Sequence, residues 1–238
     1  MTAPLNSALR LASTAIPVRE RSGALEILMV ERNKDLSFGG MWAFPGGAIE
    51  AGDGQIPEIE NEDTNWGAPQ LLSTAANAAV RETREETNLS CSVSSLAWLS
   101  HWIPPKTGAP KRFATWFFVA PEVSGVLEVD QRENSRARWI TAGDALDLYA
   151  GDEFPMAAPT WCTLHDLGDV TEIGRLIDHI ITQGPRIHHT RAFATTQGRM
   201  LVWNGDSAYE SGDLLADGSR NRMLVDDTFS VIDRERLM

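Results

Sequence analysis

Two apolar segments near the start of the chain have the pattern of neighbouring strands. Residues 8–20 and 24–32 are rich in alanine, leucine, isoleucine and valine, and they flank the turn residues Arg21-Ser22-Gly23. This pattern predicts two strands joined by a tight turn. Residues 33–42 are more polar and predict a loop, which leads into the turn Phe44-Pro45-Gly46-Gly47.

The next segment changes from an acidic, interrupted pattern to a helical one. Residues 52–73 are polar and contain the breakers Pro57, Gly67 and Pro69, so they predict an irregular segment. A helix is expected to begin near Ser73 or Thr74, since either can cap it, and to end at Asn88 in a left-handed cap. Small residues recur at three- and four-residue steps along this helix and form a packable face: Ala75, Ala76, Ala79, Val80, Thr83 and Thr87.

The remainder of the chain mixes strands and helices. Residues 141–151 predict a short helix capped by Thr141, and residues 158–184 predict one long helix before Gly184. The overall pattern predicts an α/β (α+β) fold with a mixed sheet, in one domain with elaborations that include a strand-rich extension at 185–238. The predicted strands are 91–102, 112–121, 136–140, 186–195, 199–206 and 228–232.

Composition narrows the class of protein. The chain has 238 residues, of which 42% are hydrophobic, and a formal net charge of −12. This acidity argues against nucleic acid as a partner, because there is no cationic excess to release counterions from phosphates. An acidic protein can still bind a phosphorylated substrate when divalent cations bridge the two negative partners.

The location expected from the sequence is the cytoplasm. No run of eighteen apolar residues is present, and the N-terminus lacks a charged leader before an apolar core, so neither a membrane span nor a secretory signal is expected. The chain has two cysteines, Cys91 and Cys162, which lie far apart and outside any CxxC motif. This usage is typical of a reduced protein.

Three glutamates crowd one side of the predicted helix. Glu82, Glu85 and Glu86 stand at i, i+3 and i+4, so their carboxylates lie within about a turn of each other. Such a group can be a solvated helix face whose repulsion is offset by Arg81 and Arg84. Alternatively, the three carboxylates hold hard divalent cations, because Mg²⁺ prefers oxygen ligands.

These segments together resemble the Nudix box, G-x5-E-x7-R-E-U-x-E-E-x-G-U, in which U is apolar. Gly47 begins the box, residues 48–52 form its spacer, Asp53 takes the place of the first glutamate, and residues 81–89 complete it. The chain departs from the box in three ways. Asp53 is shorter than glutamate, and Asn88 replaces a glycine. In addition, 27 residues rather than seven separate Asp53 from Arg81, so the box contains a 20-residue insertion, at about 54–73.

The resemblance implies a fold, a metal site and a reaction. The fold is a mixed sheet sandwiched between helices, with the metal site in a loop–helix–loop. The Gly46 carbonyl and the three box glutamates are expected to bind Mg²⁺ or Mn²⁺, with Glu82 and Glu85 in catalytic roles and Arg81 fixing a glutamate by an ion pair. The reaction is hydrolysis of a nucleoside diphosphate linked to another group.

Segments outside the box resemble one branch of this family, the peroxisomal-type coenzyme A and acyl-CoA diphosphatases. These segments are S-H-W-I-P-P at 100–105, K-R-F-A-T-W-F-F at 111–118 and W-N-G-D-S-A-Y-E at 203–210. The branch implies cleavage of coenzyme A or acyl-CoA to 3′,5′-ADP and (acyl-)4′-phosphopantetheine. A different coenzyme A-cleaving group has two arginines upstream of its glycine turn, but Glu31 and Leu36 stand at those places here.

Five residues are further candidates for the site. Arg112 is a possible phosphate ligand or a solvated strand end, and Arg32 is a second cation for the substrate. Trp102 and Phe113 are suited to stack on adenine or to form part of the core. Glu133 is either an extra catalytic carboxylate supplied by a loop or a solvated acid.

Two alternative functions remain open at the level of sequence. The same chemistry could act on ADP-ribose, NADH or a nucleotide sugar. A non-catalytic Nudix domain that senses a nucleotide is a different class, but this chain retains all three glutamates of the box helix. The expected partner is a small-molecule nucleotide diphosphate, with a homodimer as a further possibility and no membrane partner.

Overall fold

A computed structural model of the chain describes residues 8–36, 39–56, 59, 64–106, 111–168, 170–225 and 230–234. They divide into two compact units. The larger unit comprises Leu11–His101 and Thr115–Arg186, and the smaller one is built mainly from Trp102–Ala114 and Ile187–Leu237. The number of independently folding domains stays a prediction.

The larger unit is built around the predicted N-terminal hairpin. Strands β1 (Leu9–Arg21) and β2 (Ala24–Arg32) pair antiparallel, and Ser22 and Gly23 both have positive φ, at 53° and 79°. Two residues of positive φ give the turn a twist that matches the strands. Strand β3 (Trp42–Ala43) pairs with β2, and β4 (Gly46–Ala48) pairs with β1.

Three longer strands complete this sheet. They are β5 (Ala97–Ile103), β6 (Arg112–Ala120) and β7 (Asn134–Thr141). The strand order is β3-β2-β1-β6-β5, and β7 pairs with β2. Apolar side chains of these strands are buried in the core, among them Ile16, Ile27, Leu28, Trp116 and Val119. The predicted mixed sheet is therefore confirmed.

Helix α1 begins earlier than the sequence predicts. It spans Pro69–Thr87, with Pro69 in its first turn, so the prediction of a start at Ser73 or Thr74 is wrong. Proline lacks an N–H and has a fixed φ, which suits the first turn of a helix rather than interrupting it. The predicted C-cap is confirmed, because Asn88 has φ 58° and its N–H donates to the Arg84 carbonyl.

The long helix predicted at 158–184 is instead two helices. Helix α2 (Ala142–Ala150) has the predicted Thr141 cap, and it precedes α3 (Ala158–Leu167) and α4 (Ile173–Gln183). Gly168 ends α3, and the first N–H of α4 donates to the Glu20 carboxylate at 2.7 Å. None of the helices in the described ranges is long and apolar enough to cross a membrane.

The smaller unit contains the C-terminal strands. Strand β8 spans Arg186–His189, the Thr190 N–H that follows it donates to the Ile103 carbonyl at 2.9 Å, and a separate antiparallel sheet has the order β12-β11-β10-β9. Strand β11 is not among the strands predicted from the sequence, and the predicted strand 228–232 begins outside the described residues. The other three strands of that sheet are β9 (Arg191–Thr195), β10 (Gly198–Val202) and β12 (Ser230–Arg234), with β11 at Asn221–Val225.

Candidate active site

The glycine turn and the glutamate helix meet although the insertion separates them in sequence. Strand β4 pairs Gly46 with Thr14 of β1, and the neighbouring Ala15 N–H donates to the Pro45 carbonyl at 3.0 Å. Because bonded pairs alternate in an antiparallel ladder, the N–H and C=O of Gly46 point away from β1. The Gly46 N–H donates instead to Oε2 of Glu86 on α1, at 3.0 Å.

Glycine is required where this turn faces the helix. A Cβ at position 47 would lie 2.3 Å from Oε1 and 2.5 Å from Cδ of Glu82. A Cβ at position 46 would lie 2.6 Å from the Ser13 carbonyl oxygen. The missing side chain of Gly47 therefore allows the turn to approach the Glu82 carboxylate closely, and the missing side chain of Gly46 allows it to pack against β1.

Arg81 connects the two halves of the box with all five of its N–H groups. Its Nε and Nη2 donate to the two carboxylate oxygens of Asp53 at 2.8 and 2.9 Å, a bidentate pair. Nη1 donates to Glu82 and Glu85 at 2.9 and 3.0 Å, and Nη2 also donates to the Ala48 carbonyl at 3.0 Å. Arg81 thus forms the predicted ion pairs with glutamates and adds one with Asp53.

Asp53 is held in its charged form. Burial alone would raise its pKa, but hydrogen bonds from Arg81 and from the Glu50 backbone N–H outweigh burial and lower the pKa of Asp53. The Asp53 carboxylate, although shorter than that of glutamate, therefore forms an ion pair with Arg81, and the insertion that begins one residue later does not prevent it.

The box glutamates differ strongly in exposure. Glu82 and Glu86 are buried, at 9% and 2% exposure, whereas the Glu85 side chain is 58% exposed. Burial raises the pKa of Glu82 in spite of Arg81, and it raises the pKa of Glu86 to about 7. Two buried carboxylates with raised pKa values, next to an exposed third, do not fit a solvated helix face.

Two further predicted site residues lie beside Glu86. Arg32 Nη1 is 3.6 Å from Glu86 Oε1, and its Nη2 is 3.6 Å from Glu133 Oε2. The Glu133 side chain is 53% exposed, and its charge contributes to the raised pKa of Glu82. The structure therefore brings Arg32 and Glu133 to the box.

The loop that carries Glu133 is attached to the end of α1. The backbone N–H groups of Glu128 and Asp130 donate to the carbonyls of Thr87 and Glu86, each at 3.0 Å. Asn33 binds the other side of the loop, where its backbone N–H donates to the Glu133 carbonyl at 2.9 Å. This loop is thus positioned by the same helix that carries the glutamates.

The carboxylates fit a divalent cation by their chemistry. Glu86 Oε1 is buried without a hydrogen-bond partner among the described residues, and the facing glycine turn offers a close backbone approach. Hard oxygen donors of this kind suit Mg²⁺ or Mn²⁺. No group of three or more acidic, histidine or cysteine side chains in the described ranges is arranged as a metal site, and Glu82 and Glu85 both accept hydrogen bonds from Arg81.

The other predicted substrate residues belong to the smaller unit. Trp102 is 4% exposed and stacks on His188, with ring centroids 4.0 Å apart, so its packing gives no support to stacking on adenine. Arg112 is half-buried, and its Nε donates to the Pro105 carbonyl at 3.0 Å. Phe113 is half-buried. Their roles in substrate binding stay predictions.

The histidine of the S-H-W segment contacts the insertion. His101 is fully buried and stacks on Trp66, with ring centroids 4.5 Å apart. Trp66 also meets Trp116 edge-on, and the Trp116 indole N–H donates to the Trp66 carbonyl at 3.1 Å. The described end of the insertion is thus anchored in the core of the larger unit.

One residue at the site was missed in the sequence. Asn134, the first residue of β7, is fully buried and lies against the Glu86 carboxylate. The sequence marks Asn134 only by its position directly after Glu133, where it cannot be distinguished from an ordinary turn residue.

Comparisons with known proteins agree with this geometry. Residues 67–159 match the family model for the NUDIX domain, which therefore covers the glutamate helix and the Glu133 loop but not the glycine turn. None of the curated proteins that were compared matches the chain.

Solved structures resemble the chain over most of their length. A NUDIX hydrolase from Alicyclobacillus acidocaldarius is 22% identical, with a TM-score of 0.58, over 72% of this chain and 96% of its own. The NUDIX domain of Shewanella oneidensis NrtR, solved with ADP ribose, is 17% identical, with a TM-score of 0.47, over 75% and 90%. Residues 67–159 therefore match the NUDIX domain, and the chain has the fold of a Nudix hydrolase.

Proposed function

We propose that this chain hydrolyses the diphosphate of a nucleoside diphosphate-linked substrate with Mg²⁺ or Mn²⁺. The observation that carries the proposal is the burial of Glu82 and Glu86 against the Gly46-Gly47 turn, with Arg81 joining both halves of the box. The proposed ligands are the carboxylates of Glu82, Glu85 and Glu86 and the Gly46 carbonyl. A bound cation supplies charge neutralisation of the diphosphate and polarisation of the attacked phosphorus.

The protein side chains have separate proposed roles. Arg81 orients Glu82 and Glu85 and offsets their repulsion. Glu133 is the half-exposed acid next to the buried pair, and its proposed role is to accept a proton from a water molecule that attacks phosphorus. Arg32 bridges Glu86 and Glu133 at 3.6 Å, too long for a hydrogen bond, so its N–H groups are available to a phosphate.

The proposed substrate is coenzyme A or acyl-CoA, cleaved to 3′,5′-ADP and (acyl-)4′-phosphopantetheine. The support is the resemblance of segments 100–105, 111–118 and 203–210, together with the split box. Coenzyme A carries a 3′-phosphate that needs a cation, and the alternative candidates are Arg32 in the larger unit or Lys111 and Arg112 in the smaller one. Glu31 cannot serve, because its carboxylate is an anion; it is buried and accepts a hydrogen bond from Arg136 at 2.6 Å.

Hydrolysis of a panel of nucleotide diphosphates with Mg²⁺ and Mn²⁺ tests both levels of this proposal. Coenzyme A and dephospho-coenzyme A differ only by the 3′-phosphate, whose charged hydrogen bond is expected to be worth about 1.5–3 kcal/mol, or about ten- to a hundredfold in kcat/KM. A preference for ADP-ribose, NADH or a nucleotide sugar would refute the coenzyme A assignment alone. Tight nucleotide binding without turnover of any diphosphate would refute the hydrolase and indicate a sensor.

A further inference from the structure

Two neighbouring buried side chains at the site have polar atoms without a hydrogen-bond partner among the described residues. Asn134 is fully buried, and neither its Nδ2 nor its Oδ1 has a hydrogen-bond partner among the residues that the structure describes. Glu86 Oε1 is buried and unbonded in the same way. The Asn134 amide lies beside the Glu86 carboxylate without meeting hydrogen-bond geometry, and Asp130 links the two backbones, since its carbonyl accepts from Asn134 and its N–H donates to the Glu86 carbonyl, each at 3.0 Å.

Such a pair of groups requires an explanation. Burying a donor or an acceptor without a partner costs free energy, and native proteins leave few of them. Leucine has the same branching and the same number of side-chain heavy atoms as asparagine, and it would avoid this cost at position 134. An amide at this position costs folding stability, which indicates that it has a use when a cation is bound at the site.

The surroundings restrict the direction in which the pair can become satisfied. Oε2 of Glu86 already accepts the Gly46 N–H, so Oε1 is the oxygen that is open to a new donor. Arg32 is 3.6 Å from Oε1 and shares its charge with Glu133. The backbone of Asn134 is fixed, since its N–H donates to the Asp130 carbonyl at 3.0 Å and Asp130 itself is bonded to α1.

We infer that Asn134 is a positioning residue for the cation site, whose Nδ2–H donates to Oε1 of Glu86 when the carboxylate turns toward a divalent cation. The inference rests on the proposed function. The hydrogen bond fixes the rotamer of Glu86 and leaves its remaining lone pairs directed at the cation. Partners of this kind, outside the ligands themselves, typically contribute 10- to 100-fold to metal affinity.

The test measures two properties of the full chain, Mn²⁺ binding by titration calorimetry and thermal unfolding without metal. Asn134→Leu is expected to weaken Mn²⁺ binding by about 10- to 100-fold, while the unfolding temperature of the metal-free protein stays the same or rises. A purely structural role for Asn134 would give the reverse, a lowered unfolding temperature and unchanged Mn²⁺ binding, and would overturn the inference.

A second variant separates the donor from the acceptor of the amide. Asn134→Asp retains the shape and the Oδ1 acceptor but loses the donor, so it is also expected to weaken Mn²⁺ binding and keeps the test decisive if Asn134→Leu fails to fold. Tighter Mn²⁺ binding in Asn134→Asp would make Oδ1 a direct ligand and overturn the donor role. As a control, Asn221→Leu removes a buried asparagine of the smaller unit and is expected to leave Mn²⁺ binding unchanged.

The variant Glu86→Gln distinguishes this inference from the function on which it rests. If Glu86→Gln binds Mn²⁺ as the wild type does, Glu86 is not a ligand and the proposed function fails with the inference. If Glu86→Gln weakens binding and both Asn134 variants leave it unchanged, only the inference fails.

Discussion

The substitution Gly47→Ala tests whether the glycine turn belongs to the active site. The added Cβ would lie 2.3 Å from Glu82 Oε1, and ordinary contact begins at 3.4 Å, so the carboxylate must move by about 1.1 Å. Glu82 is the end of a flexible side chain, so the movement is possible without unfolding α1. It also loosens the Arg81–Glu82 hydrogen bond, which is 2.9 Å long.

The expected result is a large loss of activity with a small loss of stability. A misplacement of about 1 Å at a reacting centre costs about 10²-fold in rate. The Arg81–Glu82 hydrogen bond is loosened rather than broken, and Arg81 keeps its bonds to Asp53 and Glu85, so the loss of unfolding free energy is expected to be about 1 kcal/mol. We therefore expect kcat/KM for the best diphosphate to fall about 100-fold and the thermal midpoint to change by a few degrees.

Gly52→Ala is a matched control, because a Cβ at position 52 meets nothing within 4 Å. Steady-state hydrolysis, Mn²⁺ titration and thermal unfolding are compared for the two variants and the wild type. If Gly47→Ala keeps activity within a few-fold of Gly52→Ala, the close approach of the turn to Glu82 has no catalytic role and the assignment of Gly46-Gly47 is refuted.

Five other predictions concern the box and the insertion. Glu82→Gln keeps the fold, by circular dichroism, and loses most activity, while activity within a few-fold of wild type would remove α1 from the mechanism. Glu85→Gln and Glu86→Gln show weaker metal affinity that excess Mn²⁺ partly restores; an unchanged Mn²⁺ requirement would contradict this. Burial raises the pKa of Glu86 from 4.5 to about 7. The metal-free protein therefore has the full stabilisation from this group below about pH 4.5 and loses about 3 kcal/mol of unfolding free energy as pH rises through 7. Urea unfolding at several pH values measures this loss, which is expected to be absent in Glu86→Gln. Trp66→Ala lowers the unfolding free energy by about 3–5 kcal/mol by chemical denaturation, since the indole is 3% exposed; a loss below about 1 kcal/mol would mean that the anchor is loose. Shortening 54–73 while keeping Trp66 preserves hydrolysis of some small diphosphate and changes the preference among large ones, and loss of metal binding in a folded variant would show that the insertion supports the chemistry.

The local signals in the sequence were sufficient for most elements. The hairpin turn, the Thr141 cap and the left-handed Asn88 cap depend on a few neighbouring residues, and all three are confirmed. The spacing of the three box glutamates likewise predicted that they lie on one side of a helix. In these cases the backbone conformation at each position could be predicted from nearby residues, without knowledge of the rest of the fold.

The errors arise where distant residues decide the outcome. The break between α3 and α4 is stabilised by Glu20, which is 153 positions from the N–H that it accepts. The burial of Glu86 and the fit of Asn134 beside it depend on how β7 returns to the sheet, and no local pattern encodes that path. Strand β11 follows a long polar segment and was missed for the same reason.

The hydrogen bonds of Arg81 have a consequence for how this chain tolerates change in length. Asp53 is clamped to α1 by Arg81 and by Asn77, whose side-chain amide donates to the Asp53 carbonyl at 2.9 Å. The two ends of the insertion are therefore joined by side chains, whatever number of residues runs between them. Loop-closure entropy grows only as the logarithm of length, by about 0.6 kcal/mol for each doubling. Evolution could therefore lengthen this segment at little cost, and an engineer could insert a reporter domain between Asp53 and Trp66 without separating the two halves of the active site.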